Sequence, residues 1–252
     1  MTDAIAEQNR RAWEAQAYGS WVKAYGTPAE QARKLSADPA HKLRRFLPYL
    51  GDVKGRRVAN PLGSNGRLAV ALALLGAEVT VFDLSEPNRR YALELAEAAN
   101  VRLGYRVGDF GALELSDDIE KFDAVAIDHG VLHYFTDLEA VVARLHLLLR
   151  PGGRLVVNEF HPLLKKAVRL EDGRPELTGD YFRGVVETAP VAYAAFADEP
   201  DALPHCLVRR WTLGEIVTTV ARGGFTVEGL LELPGGTVPT LPGSFVLSAK
   251  RV

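Results

Sequence analysis

The sequence predicts an α/β fold with a mostly parallel sheet covered by helices on both faces. Two observations carry that prediction. Short apolar segments rich in Val and Phe alternate with segments whose apolar residues recur at helical spacing, and the connections between them are short. Residues 56–60 are apolar, end in a turn, and read as the first strand. In residues 66–75, Leu68, Ala69, Leu72 and Leu75 fall on one helical face. Residues 78–84 read as a second strand. Ser85 is placed to cap the following helix, with Pro87 in its first turn and an end near residue 99. Residues 101–107 and 122–128 read as strands three and four, and 138–149 as a helix. Pro151-Gly152-Gly153 then turns the chain into strand five at 154–160.

Two stretches stand outside this alternation. Residues 1–50 read as a helical cap, with Trp13, Tyr18, Trp21 and Tyr25 interleaved with charge, and are expected to form a lid over a ligand. Residues 161–210 read as an irregular insertion rich in Pro and aromatic residues, placed to cover a substrate. Residues 51–160 form the core between them. Residues 211–252 supply a helix at 212–221, capped by a Thr212/Glu215 box, and strands near 226–233 and 244–251 that complete the sheet. The whole chain of 252 residues reads as one domain.

Composition excludes several function classes. Net charge is −2 and the pI about 6.3, which gives no electrostatic case for nucleic acid. The single cysteine, Cys206, has no disulfide partner, and no Cys/His cluster has zinc spacing, so no metal is expected. No apolar run reaches the ~20 residues needed to span a membrane, and residues 1–11 lack the apolar stretch of a signal peptide. A cytoplasmic location, with no nucleic-acid or membrane partner, is expected. The oligomeric state is open.

Three turns carry the chemistry. Asn60-Pro61-Leu62-Gly63-Ser64-Asn65-Gly66 joins strand one to its helix, where glycine permits close backbone approach and the helix N-terminus offers free N–H groups. Asp83, followed by Leu84, ends strand two, where a carboxylate accepts from ribose hydroxyls or caps the next helix. Gly108-Asp109-Phe110 follows strand three, with a carboxylate for an adenine amine and a ring for the base, or a surface turn and a core phenylalanine.

In order, these turns, Phe122-Asp123-Ala124-Val125 and Leu149-Arg150-Pro151-Gly152-Gly153-Arg154-Leu155 resemble the class I S-adenosylmethionine-dependent methyltransferases of small-molecule type, over roughly residues 50–160. The resemblance implies a Rossmann-like sheet of seven strands whose last strand runs antiparallel. It implies S-adenosylmethionine as cofactor, with Asp83 at the ribose and Asp109 and Phe110 at the adenine. Around the methionine part it places Asn60, Gly63, Ser64, Asn65, Gly66 and Asp128-His129-Gly130, with His133 beneath the cofactor and Trp13 and Trp21 in the lid. The chain departs from the family loop at Asn60, which replaces an acid, and at Leu62 and Ser64, which replace two of three glycines.

The expected reaction is direct in-line methyl transfer to a small molecule. His161, at the start of the insertion, and His129, after strand four, are the candidate catalytic bases. Tyr181, Phe182, Tyr193 and Phe196 are either a pocket lining or the insertion's own core. Two other readings stay open. One is a nicotinamide-dependent Rossmann oxidoreductase, against which the missing Gly-x-Gly-x-x-Gly spacing counts. The other is a non-catalytic nucleoside-binding protein that keeps the fold.

Overall fold

The computed structural model describes residues 3–171 and 174–252. Five core strands, β1 (Arg57–Pro61), β2 (Glu78–Asp83), β3 (Leu103–Val107), β4 (Phe122–Asp128) and β5 (Leu149–Phe160), pair in parallel, and β10 (Phe225–Pro234) and β11 (Pro242–Arg251) complete the sheet. The order is β10-β11-β5-β4-β1-β2-β3. β11 runs antiparallel to both its neighbours, as the resemblance implies.

The central strands are apolar throughout because both their faces are covered. Alternate residues enter different cores. Ala124, Ala126 and Val156 face the core shared with α5 (Arg67–Leu74) and α6 (Glu86–Ala98). Val125, Ile127, Leu155 and Val157 face the core shared with α7 (Leu138–Leu148) and α9 (Leu213–Arg222). Helix starts are set locally. Ser85 Oγ accepts from Asn88 N at the start of α6, Asp137 caps α7 through Ala140 N, and Thr212 with Glu215 forms a reciprocal capping box on α9.

Several strand boundaries differ from the sequence reading, among them those around β5 and β3. α7 stops at Leu148, and Leu149 already pairs with Phe122, so Pro151-Gly152-Gly153 is a bulge inside β5 rather than a turn before it. β3 begins at Leu103, two residues later than expected.

Residues before β1 form four helices, α1 (Asp3–Tyr25), α2 (Pro28–Ala37), α3 (Pro39–Leu43) and α4 (Leu47–Leu50). α1 breaks at Gln16, whose φ/ψ of −147°/18° are non-helical. The break has a cause: the Tyr193 hydroxyl enters the helix ladder, accepting from Gln16 N at 3.0 Å and donating to Ala12 O.

The insertion is more regular than the sequence suggests. It holds the short helix α8 (Pro162–Lys166) and two antiparallel pairs, β6 (Val168–Glu171) with β7 (Arg174–Leu177) and β8 (Val186–Ala189) with β9 (Cys206–Arg209). Its β9 is tied to α1 by Asn9, which donates to Leu207 O and accepts from Leu207 N. The two peripheral segments therefore pack on each other as well as on the sheet. No described helix is long and apolar enough to cross a membrane.

Candidate functional site

Chain order reverses between β1 and β4, and the crevice outside the carboxyl ends of such strands is where open α/β sheets take ligands. A cavity of about 410 Å³ lies there. Its walls come from the turns after β1, β2, β3 and β4, and from Trp13, Trp21 and Tyr25 of α1.

The turn after β1 is built under strain. Leu62, Ser64 and Gly66 have φ of 49°, 48° and 73°, so all three positions are left-handed although two carry side chains. A non-glycine residue there costs about 1–2 kcal/mol. The intervening Gly63 is required by space: a Cβ would sit 2.3 Å from Asn60 Oδ1 and 2.8 Å from Val81 Cγ1. Asn60 is buried and donates Nδ2 to Ala126 O at 2.8 Å, while its Oδ1 has no hydrogen-bond partner among the described residues. Ser64 Oγ is likewise buried and unpartnered. Two orphaned polar atoms in one wall fit a ligand that supplies hydrogen bonds.

Asp83 ends β2 and is buried. It accepts from Ser64 N, Ser85 N and Asn88 Nδ2, each at 3.0 Å. Burial pushes its carboxyl upward, opposed by these donors. Three donors on four lone-pair positions leave one position for a ligand hydroxyl. Asp109 accepts from Gly111 N, which fixes the turn after β3.

Asp128, at the end of β4, contacts Lys42 Nζ at 2.5 Å and accepts from Asn158 Nδ2 at 2.7 Å. Burial pushes it upward, but His129 and Lys42 outweigh burial and hold it well below the usual carboxylate range. His129 (φ 36°) stacks on Phe160 with centroids 4.9 Å apart. Its Nε2 meets Arg45 Nη1 at 3.2 Å and its Nδ1 lies 3.4 Å from Asp128 Oδ1, so the ring accepts from Arg45 through Nε2 and presents its Nδ1–H to Asp128, with both nitrogens engaged. His133 also faces the cavity, and its ring has no hydrogen-bond partner among the described residues. Burial pushes its pKa down to about 4.

Residues 62–157 match a family model described as a methyltransferase domain. A demethylmenaquinone methyltransferase from Thermus thermophilus is 35% identical over 143 residues, covering 51% of this chain and 64% of that protein. The chain thus spans less than two thirds of that relative's length. An S-adenosylmethionine-dependent methyltransferase structure from Mesorhizobium loti superposes with a TM-score of 0.65 at 23% identity, over 86% of this chain and 100% of that one. The 1,6-didemethyltoxoflavin-N1-methyltransferase of Burkholderia thailandensis gives 0.61 at 18%, over 100% and 91%. Residues 62–157 are thus similar to a methyltransferase domain, and the chain shares its fold with S-adenosylmethionine-dependent methyltransferases.

The cavity wall gathers Asn60, Gly63, Ser64, Asn65, Asp83, Leu84, Asp109, Phe110, Asp128, His129, Gly130, His133, Trp13 and Trp21. Three expectations need correction. Gly66 stands behind the wall: it is the left-handed residue that starts α5, and a Cβ there would meet Ala92 at 2.6 Å. Phe110 is a core ring, 2% exposed and packed edge-on against Phe82 and Phe135, so it floors the cavity rather than offering an open stacking face. His161 lies outside the cavity altogether. Its Nδ1 caps α8 by accepting from Leu163 N, its Nε2 approaches Glu232 Oε1 at 2.7 Å, and Phe245 meets the ring edge-on. It is a buried structural histidine, not a base facing substrate.

The four insertion aromatics do not form one pocket. Tyr193 is fully buried against α1, Phe196 lines the cavity, Tyr181 accepts from Leu213 N, and Phe182 is 83% exposed. Sequence reasoning missed Lys42 and Arg67 as cavity residues. Arg67 reaches the cavity with its guanidinium 3.8 Å from the Tyr25 ring centroid. Glu159 is buried and accepts from the backbone N–H groups of Gly130, Val131, Leu132 and Phe160, which freezes the turn after β4. Arg67 follows the glycine turn directly, a position that a search for cations beside the loop finds. Lys42 has no such local signal.

Proposed function

We propose that the protein transfers a methyl group from S-adenosylmethionine, held in the 410 Å³ cavity, to a small-molecule acceptor. The observation that carries this reading is the unpartnered Asn60 Oδ1 at the end of β1, in line with the carboxylates Asp83 and Asp109 at the ends of β2 and β3. That order of acceptors suits a ligand with an amine at one end, a ribose in the middle and an aminated base at the other.

S-adenosylmethionine supplies a methyl group already activated on a sulfonium, so the protein's task is placement and exclusion of water. Asn60 Oδ1 accepts from the ammonium without an opposing charge of its own, and Asp128 adds a negative charge nearby. Lys42 and Arg67 offset the ligand carboxylate. Asp83 offers its remaining lone pair to a ribose hydroxyl, and Asp109 accepts from the adenine amine. Trp13 and Trp21 close the site. Trp21 is fixed by its Nε1 donating to Asn88 Oδ1 at 2.8 Å, and α1 acts as the lid. His129, with both ring nitrogens engaged, shapes the methionine end of the wall. His133, kept neutral by burial, accepts the acceptor's proton on an imidazole nitrogen.

Calorimetric titration tests this. S-adenosylhomocysteine is expected to bind one to one, and NAD not to bind. Binding of NAD but not of S-adenosylhomocysteine would replace the reading with an oxidoreductase. Binding of S-adenosylhomocysteine without turnover of any acceptor would reduce it to a nucleoside-binding protein.

A further inference from the structure

A second cavity of about 310 Å³ lies beside the first, between the end of β5, the turn after β4 and the insertion. The two share His133, Tyr134, Phe160 and Ala192 as a common wall. Most of the second cavity is apolar, with Leu132, Pro162, Val208, Trp211 and Ile216 among its lining residues. Trp211 is locked in place by its Nε1, which donates to Leu132 O and Phe135 O at 3.2 Å.

Among the described residues, two cations with free donors face this largely apolar space. Lys165 and Arg210 both line it, and Glu159 is the carboxylate in its wall. Glu159 already accepts four backbone N–H groups and holds the turn after β4. Arg210 engages Glu187 Oε1 through Nε alone, at 2.6 Å, which leaves its terminal nitrogens unassigned among the described residues. Lys165 has no carboxylate within ion-pair distance among the described residues, and its ammonium lies 4.3 Å from the Phe160 ring centroid. Burial and then the nearby Arg210 charge push the Lys165 pKa down, with the Glu159 carboxylate opposing them. The neighbouring Lys166 is buried and donates to Arg183 O and Arg210 O, both at 2.6 Å, which pins the backbone of Arg210 against α8. The two cations are thus held across one small apolar cavity by fixed backbone.

We propose that this second cavity is the acceptor site and that it selects a small, largely apolar molecule carrying a carboxylate, read by Lys165 and Arg210. The inference rests on the methyltransferase reading for the word acceptor, but the anion selectivity itself does not. A carboxylate accepts from the Lys165 ammonium and from the terminal nitrogens of Arg210, and a bidentate contact to a guanidinium favours its planar geometry.

The test is a calorimetric titration of the full chain with benzoate, cinnamate and hexanoate, each against its neutral amide, with and without S-adenosylhomocysteine. At least one acid is expected to bind tenfold or more tightly than its amide. Lys165→Gln and Arg210→Gln should each remove most of that margin, and Lys165→Arg should keep it. Affinity for S-adenosylhomocysteine should stay within twofold in all three variants. Equal binding of every acid and its amide, or a margin that survives both Gln variants, overturns the proposal. Failure of the wild type to bind S-adenosylhomocysteine overturns the methyltransferase reading instead, and the acid–amide comparison made without it still decides the anion selectivity.

Discussion

Asp83 draws its donors from Ser64, Ser85 and Asn88, at separations of 19, 2 and 5 positions. Tyr193 finds its partners at Gln16 and Ala12, 177 and 181 positions away. The Asp83 corner of the crevice is built by turns close in sequence, so its residues appear there as compact motifs. The insertion and α1 are built against each other from opposite ends of the chain, with Asn9 bonded to Leu207, Tyr193 to the break in α1, and Trp13 and Trp21 edge-on to Tyr193. Loop closure over such distances leaves no trace in local spacing.

The contrast predicts different failures. The largest effect is expected in the crevice. Asp83→Ala strands three donors at once, two of them fully buried, and each lost partner costs about 1–3 kcal/mol. Stability should fall by about 3 kcal/mol or more in urea denaturation, and affinity for S-adenosylhomocysteine by about tenfold or more. A variant with wild-type stability and affinity would show that the local network is dispensable.

In the roof, Tyr193→Phe should cost about 2 kcal/mol, because it leaves Gln16 N and Ala12 O without their shared hydroxyl. Hydrogen exchange should then accelerate over residues 10–25, while β1 and β2 keep their protection. In the wild type, bound S-adenosylhomocysteine should slow exchange over the same residues if α1 is a lid. Equal protection with and without ligand would make α1 a permanent part of the fold.

His133 stands where the two cavities meet and gives a smaller effect with a defined sign. Its folded pKa of about 4 lies below the unfolded value of about 6.5. The unfolded chain therefore binds the extra proton first as pH falls, and stability is lost between about pH 6.5 and 4. For a half-buried ring, solvent screening brings this to about 1–2 kcal/mol. His133→Asn should flatten that part of the stability curve. An unchanged slope would place the titration elsewhere.

The smallest effect is expected at His161. Because its ring sits on α8 beside Glu232 and Phe245, His161→Ala should change cofactor affinity by less than about 0.5 kcal/mol and leave the pH profile of turnover in place. A shifted profile would return the histidine to the reaction.

The alternation of β1 to β5 with their helices was legible because its signals are short-range: apolar runs for strands buried on both faces, and caps such as Ser85 and Thr212 within three positions of what they cap. The same locality exposed Asn60, Gly63, Asp83 and Asp109, each at a strand end. The left-handed backbone at Leu62 and Ser64 was not legible, because neither residue type advertises a positive φ. Phe110 and His161 were legible as positions but not as roles. Whether a ring faces a cavity or a core depends on what packs over it, and here that is Phe82 and Phe135 for one and Glu232 and Phe245 for the other. Lys42 reaching Asp128 across 86 positions, Tyr193 opening α1, and the Lys165–Arg210 cavity exist only once the sheet has brought distant segments together. Periodicity and capping act within a few residues and are written in the chain, whereas side-chain burial and charge balance depend on neighbours that only the folded molecule supplies.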